Sequence, residues 1–211
     1  MKFLIIYLSL ILFNGCFDNK SCNCDYKALE YNWLEDIKGE LALGFKPDKK
    51  HKSWYFVRSS FPSSGITILY KSLGAENVLA QDVRELNVGF IEGGGHHRDW
   101  FYYLLVIKNG KQIYITEKKE VLDFLGKIDT KEEALLLAMI EGFNIDSNNI
   151  KGSSYKKTKE GYSFLLMKDD IETPLYDEHR QYEVNVSKNG EISWKKGNIY
   201  CRGYIDCYGT D

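Results

Sequence analysis

Strand-forming residues recur along most of the chain in short stretches separated by polar, Gly or Pro residues. Apolar, β-branched or aromatic residues are concentrated in ranges that are each predicted to be a strand: 53–60, 66–73, 78–86, 100–107, 112–115, 152–158, 162–167 and 180–187. In the last range Tyr182, Val184 and Val186 alternate with polar residues, which indicates one buried face. Ile192 and Trp194 place apolar groups on one face of a returning strand, and residues 195–211 are expected to be irregular.

Two Asn-Gly pairs, Asn109-Gly110 and Asn189-Gly190, lie between such stretches. Asn and Gly both tolerate the positive φ angles of a tight turn, so each pair predicts a β-hairpin.

A helical spacing of apolar residues appears in three places. Leu29, Trp33, Leu34, Ile37 and Leu41 predict a helix within 26–43. A short helix is expected from Thr116 or Glu117 to Leu125, ended by Gly126. Thr130 and Glu133 form a capping box that opens a third helix, which the apolar residues 134–140 fill and Gly142 ends. The predicted fold class is α+β, with antiparallel sheets built from hairpins packed on a few helices.

The first residues have the pattern of an export signal. Lys2 is followed by an apolar run over 3–13, too short to cross a bilayer, and then by Asn14, Gly15 and Cys16. The end of this segment, Leu-Phe-Asn-Gly-Cys, resembles the lipobox of bacterial lipoproteins. The resemblance implies cleavage after residue 15 and lipidation of Cys16. The chain would then be anchored in the bacterial cell envelope, with the outer membrane favoured. The alternative is ordinary secretion with an incidental cysteine.

Composition and charge agree with a folded domain held at a membrane by a lipid anchor. Residues 16–25 are expected to be a tether and 26–211 an α+β domain, with 26–99 and 100–211 as alternative subdomains. Hydrophobic residues make up 44% and charged residues 27% of the sequence, as in globular proteins. After removal of Lys2 with the signal, 27 basic residues face 30 acidic ones. A basic stripe for nucleic acid and a polybasic membrane patch are both absent from the sequence.

Four cysteines remain after Cys16, two near each end of the chain: Cys22, Cys24, Cys201 and Cys207. An even number of cysteines in an exported chain indicates disulfides. Two bridges that tie the segment around residue 23 to the segment around residue 204 are favoured. A local Cys201–Cys207 bridge is the rival pairing. A zinc site is a third option, although the spacings do not match those of structural zinc sites.

The range 128–192 carries a second resemblance. It reads IDTKEEALLLA, then EGF, then SSYKKTKEGY, and it ends with VNVSKNGEI. A helix with this opening, followed by hairpins, resembles small lipoproteins of unknown function that are common in Bacteroidota. It is also loosely similar to PepSY-like or cystatin-like α+β domains. The likeness implies location and fold, and the PepSY-like domains suggest binding or inhibition of peptidases.

The most unusual polar run follows three glycines: His96, His97, Arg98 and Asp99. In one interpretation this loop presents imidazoles, a guanidinium and a carboxylate to a metal or an anion. Two observations count against it. Neighbouring side chains in a strand point to opposite faces, and the Lys-Ser/Thr ending of a phosphate-binding loop is missing. An exposed hairpin entry is the favoured interpretation.

Two further polar segments are weaker candidates. Asp146 begins a polar loop, but Lys151 and Lys157 stand where an EF-hand needs Gly and Glu. The ranges 169–172 and 177–180 contain paired carboxylates and are expected to be solvated loops. No hydrolase, metalloprotease or dinucleotide-binding motif occurs in the sequence. The sequence therefore predicts no catalytic residue, metal site or cofactor.

The expected function is a cell-envelope lipoprotein of the binding kind. A non-enzymatic domain that holds a protein partner, as an inhibitor or an immunity protein does, is favoured. The alternatives are an envelope hydrolase of unrecognised type that uses the loop 93–99, and a structural coat protein. Nucleic acid is not an expected partner.

Overall fold

The computed structural model describes residues 25–31, 37–47, 53–61, 65–75, 77–95, 98–146, 149–168 and 178–203. These residues form ten strands in two antiparallel sheets, together with three α-helices. The α+β class and the antiparallel sheets agree with the sequence prediction, and most of the regular structure is sheet.

Sheet 1 has β2 (Trp54–Phe61) between β3 (Gly65–Lys71) and β5 (Arg98–Lys108). The other edge of β5 is shared by two strands. β4 (Ile91–Gly95) pairs with its first half, and β6 (Lys111–Ile115) pairs with its second half. The 11 residues of β5 make this strand long enough to serve both partners.

Sheet 2 is a meander of consecutive antiparallel strands, closed at one edge by a short strand from the start of the domain. In order it contains β7 (Ser153–Lys157), β8 (Gly161–Lys168), β9 (Glu178–Ser187) and β10 (Ile192–Arg202). β1 (Lys27–Ala28) pairs with the outer edge of β7. Tyr182, Val184 and Val186 of β9 are buried, as their alternation predicts.

The helices are α1 (Ile37–Ala42), α2 (Lys118–Leu125) and α3 (Lys131–Ile140). The N-termini of α2 and α3 both carry a complete capping box, Glu117 with Glu120 and Thr130 with Glu133. α3 lies against β8 and β9 and also contacts α1. Its residues from 133 to 139 are all buried, which confirms the prediction from its nearly continuous apolar sequence.

The two predicted Asn-Gly hairpins form, but their turns differ. Asn109 and Gly110 have φ angles of 52° and 70°, as a two-residue turn requires. In the second hairpin only Gly190 has a positive φ, 79°, and its N–H donates to the carbonyl of Ser187. A Cβ at Gly190 would collide with the side chain of Leu122 on α2. The second turn is therefore shaped by packing against a helix as well as by its own sequence.

A single cluster of buried apolar side chains connects both sheets and the helices. Aromatic rings form much of it around Trp54, which lies 5.5 Å from Phe124 and 4.9 Å from Tyr70 between ring centroids. Within the described ranges, no helix combines the length and the hydropathy needed to cross a membrane.

The first predicted helix and one predicted strand need correction. Residues 27–28, expected to be helical, form β1, and the helix of the described residues in this range is α1 (Ile37–Ala42). The range 78–86 is not a strand, because its backbone crosses a face of sheet 1 instead of joining it. There the carbonyl of Leu86 accepts from Ser59 Oγ, and the carbonyl of Arg84 accepts from Tyr103 Oη at 3.1 Å. Residues 195–202, expected to be irregular, continue β10.

Candidate functional site

An open cleft of about 820 Å³ lies among the described residues. It lies where the start of α3 meets β7 and β1, at the outer edge of sheet 2. We call it the lysine–tyrosine cleft, and it is lined by Asp25, Lys27, Lys46, Asp129, Thr130, Lys131, Glu132, Tyr155, Lys156, Lys157, Thr158 and Tyr162. Five of these side chains are lysines and three are carboxylates, so the cleft is positive in a chain whose formal net charge is −2.

The lysines come to the cleft from separate elements. Strand pairing places Lys27 of β1 opposite Tyr155 of β7, and Lys157 follows two residues later on the same face. Lys46 lies in the segment after α1. Within the described part of the chain, no carboxylate forms an ion pair with Lys27, Lys46 or Lys157, and all three side chains are exposed. These three ammonium groups can therefore meet an incoming anion.

Tyrosine rings contact three lysines of the cleft, Lys131, Lys156 and Lys157. Lys131 Nζ lies 5.2 Å from the ring centroid of Tyr31 and 5.3 Å from that of Tyr155. Lys157 Nζ lies 5.9 Å from the ring centroid of Tyr162. Lys131 Nζ also lies 2.9 Å from Glu132 Oε1, which offsets its charge, whereas the ring contact of Lys157 restricts its ammonium group without neutralising it. The cleft thus presents positive charge in partly fixed positions.

Lys156 belongs to the opposite face of β7, where a second tyrosine lies. Its Nζ is 4.3 Å from the ring centroid of Tyr26 and 3.9 Å from Glu183 Oε1. The Tyr26 hydroxyl donates to Glu183 Oε1 and lies 2.8 Å from Ser163 Oγ. Burial raises the pKa of Tyr26 to about 12, so this hydroxyl stays protonated as a donor at neutral pH.

The floor of the cleft at the start of α3 is fixed by Glu133, which is fully buried. One carboxylate oxygen accepts from Lys46 N at 2.6 Å, and the other accepts from Asp129 N and Thr130 N at 2.9 and 3.1 Å. Burial raises the pKa of Glu133, against the lowering effect of these backbone donors. This carboxyl therefore satisfies the free amides of the helix terminus and ties the Lys46 segment to α3.

One hydroxyl beside the cleft has no hydrogen-bond partner in the described part of the chain. The Oη atom of Tyr31 is buried and unpaired among the described residues, although its ring lies against Lys131. Burial, followed by the nearby charge of Glu132, raises the pKa of Tyr31. An unsatisfied buried hydroxyl costs about 1–3 kcal/mol. The Tyr31 hydroxyl is therefore a buried polar group next to Lys131 that no described residue satisfies.

A second buried polar cluster lies at the other end of sheet 2. Asp146 Oδ2 accepts from Tyr200 Oη at 2.6 Å and lies 3.1 Å from His179 Nδ1. Asp146 and His179 are only 3% and 7% exposed. The cluster joins the loop after α3 to β9 and β10. Its burial corrects the sequence prediction, which favoured a polar loop at Asp146 and a solvated loop at 177–180.

The residues proposed as a ligand loop are only partly described. Gly95 and Arg98 pair at the end of the β4–β5 hairpin, and His96 and His97 between them lie outside the described residues. Asp99 is exposed on β5, opposite Gly94. The described residues contain no group of three or more His, Cys, Asp or Glu side chains placed to hold a metal ion.

The cysteines are mostly outside the described ranges, as are residues 169–177 of the acidic segments. Cys16, Cys22, Cys24 and Cys207 belong to this undescribed group. Cys201 is 8% exposed in β10, where it pairs across the strands with His179.

Sequence reasoning did not identify the lysine–tyrosine cleft, because its lining residues are spread from position 25 to position 162. Each contributing segment is short and has the composition of an ordinary exposed loop or strand end. The local signal is the adjacency of Tyr and Lys in Tyr26-Lys27 and in Tyr155-Lys156-Lys157.

Comparison with known proteins supplies no relative on which to base an assignment. No protein-family model, curated protein or solved structure matches this chain.

Proposed function

We propose that the mature chain is a non-enzymatic binding domain, anchored by lipid at Cys16 in the bacterial cell envelope, that holds a protein partner in the lysine–tyrosine cleft. The observation that carries the proposal is a set of exposed lysines in a concave site that form no ion pair with any described residue: Lys27, Lys46 and Lys157. An inhibitor or immunity-like role fits such a site, because exposed ammonium groups in a concavity bind a protein partner by charge and shape.

The placement of the polar groups supports binding more than catalysis. The Asp146–His179–Tyr200 cluster, which superficially resembles an acid–base group, is buried and uses Asp146 Oδ2 for both contacts. In this proposal the cluster stabilises the fold. The cleft lysines act as positive contacts for the partner and hold no reacting group.

Export and disulfide formation belong to the same proposal. What supports them is the sequence pattern up to Cys16 and the state of Cys201, which is buried and is not a free thiol. We propose that Cys201 and Cys207 are bridged to Cys22 and Cys24.

Lipidation is tested by growing cells with an alkyne analogue of palmitate and recovering the protein. The wild-type chain is expected to be labelled and to fractionate with membranes, because acyl chains give stable anchoring. Cys16→Ser is expected to lose the label, whereas the matched variant Cys22→Ser keeps it. An unlabelled wild-type chain in the soluble fraction would contradict the anchor.

Partner binding is tested by cross-linking and pull-down of the full lipoprotein from detergent-solubilised envelopes. We expect one or more proteins to be enriched with the wild type and lost with the triple variant Lys27→Gln, Lys46→Gln, Lys157→Gln. A matched triple variant in exposed positions away from the cleft should retain them: Lys108→Gln, Lys111→Gln, Lys195→Gln. Equal recovery with both variants would show that the cleft is not the binding site.

A further inference from the structure

We infer that the lysine–tyrosine cleft binds an extended acidic segment of a partner protein, presented close to the membrane that carries the anchor. The inference rests on the proposed function and specifies the chemistry of the partner. It is drawn from three features of the cleft: the arrangement of its charges, the open edge of β7 and its distance along the chain from Cys16.

The cleft charges that are left for a ligand are mostly positive. Lys131 Nζ pairs with Glu132 Oε1 at 2.9 Å, and Lys156 Nζ lies 3.9 Å from Glu183 Oε1. Among the described residues, Lys27, Lys46 and Lys157 have no such ion pair, and they come from three separate segments of the chain. A polypeptide segment with several carboxylates along its length can contact all three, because opposite charges across an interface attract.

The edge of β7 favours an extended peptide. β1 pairs with β7 only at Ser154 and Tyr155. The carbonyl of Ser153 points to the β1 side, where it accepts from Leu29 N at 2.8 Å. Main-chain groups alternate along a strand, so those of Lys157 point to the same side. Among the described residues no strand pairs with Lys157 there, so its N–H and C=O, next to Asp25 of the same chain, are the main-chain groups of β7 that a bound peptide can use.

The length of the tether places the cleft near the membrane. Asp25, which lines the cleft, follows Cys16 by nine residues. Nine extended residues span at most about 32 Å. An acylated Cys16 therefore keeps the cleft within roughly that distance of the lipid headgroups. The segments that it can reach are those of proteins at the same surface, such as the part of an envelope protein next to its own anchor.

The membrane surface itself is a less suitable ligand. The chain beyond residue 15 has more acidic than basic residues, 30 against 27. Its overall field does not attract an anionic bilayer, and the cleft lysines are set in a concavity that a flat surface does not enter. The same charges and shape suit a narrow polypeptide segment.

The test uses the full acylated lipoprotein in neutral detergent and a fluorescein-labelled peptide of eight glutamates. Fluorescence anisotropy is expected to show saturable binding that weakens as salt is raised. A peptide of eight glutamines should not bind. The Lys27, Lys46 and Lys157 triple variant should bind at least about tenfold more weakly, as expected when three modest charge contacts are lost together. The Lys108, Lys111 and Lys195 triple variant should match the wild type.

Two further probes distinguish other sources of negative charge. Inorganic phosphate at the same ionic strength as sodium chloride should displace no more peptide than the chloride does. Vesicles containing phosphatidylglycerol should bind both triple variants equally. Lysine-dependent binding of these vesicles without peptide binding would overturn the inference in favour of a membrane site, and specific displacement by phosphate would do so in favour of a small-anion site.

Failure of this inference is separable from failure of the proposed function. If pull-down still recovers a partner through the cleft lysines but the glutamate peptide does not bind, the acidic-segment inference is wrong and the binding function stands. If neither experiment depends on these lysines, both are wrong.

Discussion

Replacement of Asp146 by Ala is expected to lower the free energy of unfolding by about 3 kcal/mol, the cost of leaving buried polar partners unpaired. Asp146 is 3% exposed, and its Oδ2 contacts both Tyr200 Oη and His179 Nδ1. Without the carboxylate, a buried imidazole and a hydroxyl lose their shared partner. Urea unfolding followed by circular dichroism measures the loss.

Two variants show whether this loss belongs to the buried cluster. Asp123→Ala removes an exposed carboxylate on α2 and should change the stability by less than about 0.5 kcal/mol. Tyr200→Phe removes one hydrogen bond to Asp146 and should cost about 1 kcal/mol. If Asp146→Ala is as mild as Asp123→Ala, the cluster does not stabilise the fold.

Replacement of Glu133 by Ala should also cost about 3 kcal/mol, since three backbone N–H groups lose a buried acceptor at once. Those donors are the amides of Lys46, Asp129 and Thr130. The substitution removes the link between the segment after α1 and the start of α3. The free energy of unfolding in urea measures the effect.

The second capping box provides the matched control. Glu120 occupies the same position in α2 and accepts from Thr116 N and Glu117 N, but it is exposed. Glu120→Ala should therefore cost only about 0.5–1 kcal/mol, because water replaces the lost acceptor. Equal losses from Glu133→Ala and Glu120→Ala would show that burial adds nothing to the role of Glu133.

The same carboxyl gives the stability a pH dependence of known sign. Burial raises the pKa of Glu133 in the folded state above its unfolded value of about 4.3. The folded protein therefore binds this proton more tightly, and the resulting stabilisation is complete below pH about 4 and is lost as the pH rises through the raised pKa. Relative to Glu133→Gln, which cannot titrate, the wild type should lose stability over this range. If the wild type instead becomes more stable relative to Glu133→Gln as the pH rises, burial does not raise the pKa of Glu133.

Local sequence was sufficient for the elements whose signals lie within a few residues. The α3 capping box, the stops at Gly126 and Gly142, and the Asn109-Gly110 hairpin all follow from the chemistry of residues near the turn itself. It failed where a longer-range contact decided the structure. β1 forms because β7 offers an edge to residues whose apolar spacing alone favours a helix. The segment 78–86 stays outside sheet 1 because Ser59 and Tyr103 bind its carbonyls.

The sequence by itself determined the α+β class, most strands of both sheets and the helices from residue 117 onward, since hydrophobic period and capping act over short distances. Only the tertiary structure decided the polar sites. It gathered Lys27, Lys46 and Lys157 into one cleft and moved His179 and Asp146 from expected loops into a buried pair. The physical reason is that charge and hydrogen bonding depend on distance in space, and these residues are brought together by strand pairing between segments far apart in the chain.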